Sequence, residues 1–259
     1  MEITDLLNRK ISLSKTPQRI ISLVPSQTEL LVDMGLEDSL VGITKFCVHP
    51  KHLRKTKTVV GGTKKVHLPK VKNLQPDIII CNKEENTAEM VVELSAIAPV
   101  WVSDINSVSD CLRMISDFGK IFEKTKEALQ LIAAIEKAKT DFELFISGKP
   151  LRNTCYFIWK DPYMVAGKGT FIDEMLQLNH FRNAVDETRY PEIDLADLKK
   201  VEVLLLSSEP YPFKENDIED LKNKFPKADI KLVDGEYFSW YGTRLINAFA
   251  YFKSFHKSF

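Results

Sequence analysis

Arg19 to Gly35 reads RIISLVPSQTELLVDMG, a strand-length apolar run that passes directly into a helix. Arg19-Ile20-Ile21-Ser22-Leu23-Val24 is short, compact and rich in β-branched residues. Pro25 ends it, and Ser26-Gln27-Thr28-Glu29 has the S-x-x-E spacing of a capping box. A helix is predicted over Gln27–Met34, closed by Gly35. A strand that hands over to a helix N-terminus leaves free backbone N–H groups at the lip of a sheet. Open α/β domains take their ligands at such lips.

The same alternation continues outward. Strands are predicted at Leu40–Ile43, Thr58–Val60, Ile78–Cys81 and Pro99–Val102, with helices at Leu68–Leu74 and Glu85–Ile97. Strand and helix in turn argue for a parallel sheet covered by helices. From Ser107 to Phe145 the pattern changes: there is no proline, one glycine (Gly119), and apolar residues recur at helical spacing. One continuous helix of about eleven turns, roughly 55–60 Å, is expected, in preference to two helices with an unmarked break. After Ser147-Gly148-Lys149-Pro150 the alternation resumes. Strands are predicted at Thr154–Trp159, Val203–Leu206 and Ile230–Val233. Helices are predicted through Leu178 from a Thr170 cap, at Leu195–Lys199, at Ile218–Lys224 and at Thr243–Lys253. The fold class is therefore α/β, with two αβ lobes built on central parallel sheets and joined by one long α-helix. Its expected boundaries are residues 1–106, 107–147 and 148–259.

Composition bounds the function. The 259 residues can bury one large core or two lobes of roughly 100–130 residues. Lys+Arg and Asp+Glu balance at 36 each, so neither nucleic acid nor an anionic membrane is expected as a partner. No apolar run is long enough for a membrane span. MEITDLLNRKISLSK lacks the apolar core of a secretory signal, so the chain as it stands is expected in the cytoplasm. Cys47, Cys81, Cys111 and Cys155 are scattered, which predicts reduced packing residues and no zinc or redox motif. The five histidines show no metal-ligand spacing. His49 and His52 are three apart, but Pro50 separates them from a shared helical face. There is no G-x-S-x-G elbow, P-loop or Rossmann glycine fingerprint, and no enzyme is expected.

Taken in order, RIISLVPSQTELLVDMG, LVGITKFCVHP, VVGGTKKVHLPKVKNLQPDIII and WKDPYMVAGKGTFIDEML resemble a known family. YPEIDLADLKKVEVLLLSS and VDGEYFSWYGTRL extend the match. The chain is similar to the iron-siderophore and vitamin B12 class of ABC-transporter substrate-binding proteins, the helical-backbone metal receptors (class III periplasmic-binding-protein-like). The resemblance implies a non-enzymatic solute-binding protein that holds a metal chelate or corrinoid, cobalamin-like or a ferric siderophore, in the cleft between its lobes. No covalent cofactor is implied. A monomer with a small-molecule ligand and an ABC permease as partners is expected. For members of that class the compartment is the periplasm or the cell surface.

Loops at strand ends supply the candidate ligand-binding residues. In the first lobe these are Pro25, Ser26, Gln27, Phe46, Thr63, Lys64 and Asn82. Phe46 falls where similar cobalamin-binding proteins present an aromatic residue to the corrin. In the second they are Trp159, Tyr163, Tyr190, Trp240, Tyr241 and Arg244. Aromatic rings suit a flat apolar ligand, and the arginine fork suits a carboxylate or phosphate. Trp240 could equally plug the lobe edge, and Arg244 could bond a local acid. The Gly62–Val66 loop has no tyrosine where related haem receptors carry an iron ligand. The resemblance also implies one permease-docking glutamate per lobe, but Pro69 and Ala196 stand at those positions, with Asp197 adjacent. Their loss would weaken docking, so the alternative is a cytoplasmic stand-alone carrier or sensor not coupled to a transporter.

Overall fold

In a computed structural model that describes residues 1–259, the chain opens with an antiparallel hairpin of β1 (Glu2–Thr4) and β2 (Lys10–Ser12). Three-residue strands among charged side chains carry no readable alternation, so the sequence does not announce them. Asp5 organises the hairpin. Fully buried, its carboxylate accepts from the backbone N–H groups of Leu7, Arg9 and Val102 and from Arg9 Nε.

Five apolar runs then form one parallel sheet of β3 (Ile20–Ser22), β4 (Leu40–Thr44), β5 (Thr58–Gly61), β6 (Ile78–Asn82) and β7 (Val100–Ser103). Their spatial order is β5-β4-β3-β6-β7. β3, β6 and β7 are buried along their whole length, as strands covered on both faces must be. Helices α1 (Pro25–Asp33), α2 (Leu53–Thr56), α3 (Leu68–Asn73) and α4 (Ala88–Ser95) supply the cover. Val71, Met90 and Leu94 pack with Ile21, Ile79 and Val100. Leu53 and Val32 close over Ile43, which pairs with Ser22 and so faces away from Ile21. Each fully buried isoleucine of β6 contributes about 2–3 kcal/mol. The edge strand β7 is dressed by Asp5 on Val102 and by Arg9 Nη2, which donates to the Val100 carbonyl.

The expected capping box at Ser26–Glu29 is absent. α1 starts at Pro25, its N-cap is Val24, and no side chain caps it. Proline suits the first helical position because its missing N–H is not needed there and its φ is preset. Gly35 does close the helix as expected, at φ +74°, with Leu36 N–H on the Leu31 carbonyl at 3.0 Å.

The single helix expected over 107–147 is in fact two, α5 (Val108–Ile121) and α6 (Thr125–Ile146). α5 ends with Lys124 N–H on the Gly119 carbonyl at 2.8 Å, across Glu123 at φ +56°. The hydrophobic period runs straight through this break, and a left-handed glutamate leaves no turn signature. A Cβ on Gly119 would lie 2.6 Å from Ala128 Cβ. The missing side chain lets the start of α6 approach the end of α5. By its contacts the chain divides into a first unit of Met1–Ile105, Ser109–Ile135 and Tyr241–Arg244, and a second of Asn106–Val108, Glu136–Trp240 and Leu245–Phe259.

The second unit has its own parallel sheet, β10-β8-β11-β12, with β9 antiparallel on β8. The strands are β8 (Arg152–Trp159), β9 (Met164–Val165), β10 (Phe181–Asn183), β11 (Val203–Ser207) and β12 (Asp229–Val233). α7 (Phe171–Leu178), α8 (Glu215–Lys224), α9 (Gly235–Ser239) and α10 (Arg244–Phe255) complete it. Thr170 caps α7 through the Asp173 N–H at 3.1 Å, as its sequence predicts. The helix expected at Leu195–Lys199 is only a 3₁₀ turn, Leu195–Asp197. Phe142 packs against Phe249 and Phe252, and Tyr156 against Phe238. No helix of the chain is long and apolar enough to cross a membrane.

One polar group sits inside that aromatic core. His256 stacks on Phe181 at 5.2 Å and its Nε2 meets Asn179 Oδ1 at 3.0 Å. Burial, with Lys149, His180 and Arg152 nearby, holds its pKa down at about 4. The unfolded imidazole protonates near 6.5. Between those values the unfolded chain binds the extra proton, so stability is whole above pH 6.5 and falls as pH drops towards 4. We expect roughly 2 kcal/mol to be lost across that window. Urea midpoints measured from pH 7 to pH 4 should show it, and His256→Gln should flatten the curve. A wild-type midpoint unchanged across the window would refute the assignment.

Candidate ligand-binding edges

At the carboxyl edge of the first sheet, polar side chains meet where the apolar strands end. Gln27, on the first turn of α1, donates through Nε2 to Ser103 Oγ and to Tyr241 OH at 3.0 Å. Asn82, the last residue of β6, donates to Ser103 Oγ at 3.0 Å and accepts from the Glu84 and Glu85 N–H groups. Asn86 Oδ1 accepts from Asn82 N–H, and its amide donates to the Thr63 carbonyl. Gln27 is fully buried, yet its Oε1 has no hydrogen-bond partner. A buried amide oxygen left unpaired costs about 1–3 kcal/mol.

Charge gathers around this cluster. Burial pushes the Glu85 carboxyl up, against the pull of Lys64 and a hydrogen bond from Thr63. Lys64 Nζ donates to the Glu84 carbonyl. Burial likewise raises the Tyr241 phenol, opposed by its bond to Gln27. Pro25 and Ser26 are buried on the turn beneath. Phe46, just past β4, is 48% exposed, with Lys45 Nζ 4.9 Å from its ring centre.

Tyr241–Arg244 belongs to this first unit, although the residues on either side of it do not. Gly242 N–H donates to Cys111 Sγ at 3.1 Å, and Thr243 Oγ1 bonds Asp33 Oδ2. Gly242 takes φ +95°, with Leu30 and Ser26 against the place a Cβ would occupy. Arg244 makes a two-pronged pair with Glu29, Nε to Oε2 at 2.9 Å and Nη2 to Oε1 at 2.7 Å. Arg244 therefore bonds a local acid, Glu29.

The second sheet ends in a ring-rich edge of its own. Trp159 closes β8, is 40% exposed, and meets Tyr211 edge-on at 5.7 Å. Tyr163 is half-buried edge-on against Phe157. Tyr190 is half-buried in the extended segment whose Arg189 and Pro191 carbonyls accept from Gly167 and Val165. Lys160 Nζ donates to Asp217 at 2.6 Å and Asp220 at 3.1 Å, and those bonds raise its pKa. Trp240, at 9% exposure, donates from Nε1 to Glu209 Oε1 at 3.0 Å, beside Ser239 Oγ on the same oxygen. Burial raises the Glu209 carboxyl against the Ser239 bond. Trp240 thus plugs the second unit's edge, while its neighbour Tyr241 serves the first.

The sequence reading picked out Gln27 and Asn82 but missed Ser103, Asn86 and Glu85. The available signal was positional: Ser103 and Asn82 are the first polar residues after unbroken apolar strands. No group of three or more His, Cys, Asp or Glu side chains is placed to hold a metal ion. The four cysteines are free and buried; burial raises each thiol, Cys81 and Cys111 to about 12.

Comparison with known proteins agrees with this architecture. The chain is 31% identical over 205 residues to an uncharacterized ABC transporter substrate-binding lipoprotein, YvrC, of Bacillus subtilis (strain 168), covering 74% of this chain and 63% of that one. It is 24% identical over 183 residues to the vitamin B12-binding protein of Yersinia pestis (strain Pestoides F), covering 69% and 64%. The matched stretches thus span a little under two thirds of these relatives. Among solved structures, the periplasmic vitamin B12 binding protein BtuF of Vibrio cholerae superposes with a TM-score of 0.81 at 17% identity, over 94% of this chain and 98% of that one. The profile of the family described as "Periplasmic binding protein" matches residues 20–222. On that match the chain belongs to the periplasmic binding protein family.

Proposed function

We propose that this chain is a non-enzymatic solute-binding protein for a metal chelate or corrinoid. The observation that carries the reading is a pair of exposed rings, Phe46 and Trp159, each just at or past the end of a central parallel strand. An aromatic ring in water is uncompensated apolar area; a flat ligand laid on it recovers that area and adds stacking. The vitamin B12-binding relative supports a corrinoid as one such ligand. Ser26, Gln27, Thr63, Lys64, Asn82, Tyr163 and Tyr190 are the further proposed contacts. Coupling to an ABC permease belongs to the same reading. Pro69 and Ala196 are both exposed, and Asp197 beside Ala196 is the carboxylate left for docking.

Trp159 is the one well-exposed tryptophan of three, so its emission should report the ligand. Titration with cyanocobalamin, cobinamide, a ferric siderophore and haemin should give sub-micromolar quenching by one of them. Calorimetry on Trp159→Ala should then show at least a tenfold weaker Kd, about 1.4 kcal/mol. If none of the four binds tighter than about 100 µM, the reading fails.

A further inference from the structure

Charge is segregated along this neutral chain. Residues 39–76 carry nine lysines and arginines and no aspartate or glutamate, whereas residues 186–220 carry eleven acids against four cations. In the first unit the cationic span runs from the end of β4 through α2, β5 and α3. It therefore wraps the edge of the sheet at β5, the outermost strand. All nine cations but the half-buried Lys57 are exposed. Of the acids that flank the span, Glu37 is taken by His52 at 2.7 Å, with its carbonyl held by Lys57, and Asp77 by Lys15 at 3.4 Å. Lys64 has a carboxylate close enough to feel, Glu85.

From this we infer that the β5 edge of the first unit is a docking face for an anionic lipid bilayer. Three features select that partner. Eight of the nine cations are lysines, whose point charges suit a fluid sheet of headgroups; a fixed carboxylate or phosphate would be better matched by arginine forks. The backbone of the edge is already occupied: Val66 bridges Gly61, and His67 N–H donates to the Val60 carbonyl. A peptide strand therefore finds no ladder to extend. Phe46, exposed under Lys45 and close to Gly62, adds a ring that can enter the headgroup region.

The test is co-sedimentation of the full chain with phosphatidylcholine vesicles, with or without phosphatidylglycerol at about one part in four. At about 50 mM salt, the anionic vesicles should retain at least about tenfold more protein, and about 300 mM salt should abolish the difference. Arg54→Glu/Lys55→Glu/Lys70→Glu/Lys72→Glu alters only exposed side chains and should keep the wild-type circular dichroism while losing the anionic preference. Phe46→Ala should weaken binding several-fold. Equal retention on both vesicle types would overturn the inference. So would full retention by the fourfold variant, or capture by immobilised polyglutamate without vesicle binding, which would assign the edge to an acidic protein.

Discussion

Asp5→Ala is expected to destabilise the first unit by about 3 kcal/mol. The carboxylate has no exposed surface and takes four donors, two of them from Arg9 and one from Val102 on β7. Its removal orphans the buried Val102 N–H and frees the Arg9 fork, which also holds the Val100 carbonyl. Arg9 is partly solvated, so water compensates some of its loss, which keeps the figure below the full cost of a deep buried pair. Asp5→Asn retains an acceptor and should lose about half as much. Urea unfolding followed by Trp101, buried on β7, reads the effect directly. A midpoint that moves by the equivalent of less than about 1 kcal/mol would mean the hairpin is not coupled to the sheet.

Glu29→Ala should cost about the same, for a different reason. Arg244 is only 10% exposed in its side chain, and removing Glu29 strips a largely desolvated guanidinium of both carboxylate bonds. Arg244→Ala leaves the complementary charge on Glu29. The double variant should be markedly better than the sum of the singles, with a coupling energy of about 2 kcal/mol. Arg244→Lys keeps the charge but not the fork, and should lose about 1 kcal/mol. Single-variant losses that add to within about 0.5 kcal/mol would show that the pair is decorative.

The parallel sheets were legible because their physics is local. Ile78-Ile79-Ile80 can only be a strand buried on both faces, and Gly35 and Thr170 mark helix ends by chemistry of their own. What escaped was non-local or disguised. Glu123 turns the chain in a conformation usually left to glycine, so two helices read as one. Pro25 looked like a strand stop and is a helix start. Asp5 finds Val102, and Arg244 finds Glu29, across 97 and 215 residues of chain, which no spacing rule reaches. At the site, Gln27 and Asn82 were readable from strand ends. That Trp240 and Tyr241, adjacent in sequence, serve different units was not.

The placement of Tyr241–Arg244 bears on how the protein is made. Gln27, Glu29 and Asp33 leave the ribosome early, yet their partners Tyr241, Arg244 and Thr243 lie more than 200 residues later. At ordinary synthesis rates that is about 10–40 s. Through that interval the nascent first unit holds an uncovered first turn of α1 and unpaired acids at Glu29 and Asp33. The amino-terminal half therefore cannot mature vectorially; its last bonds close only after residues 241–244 have been made.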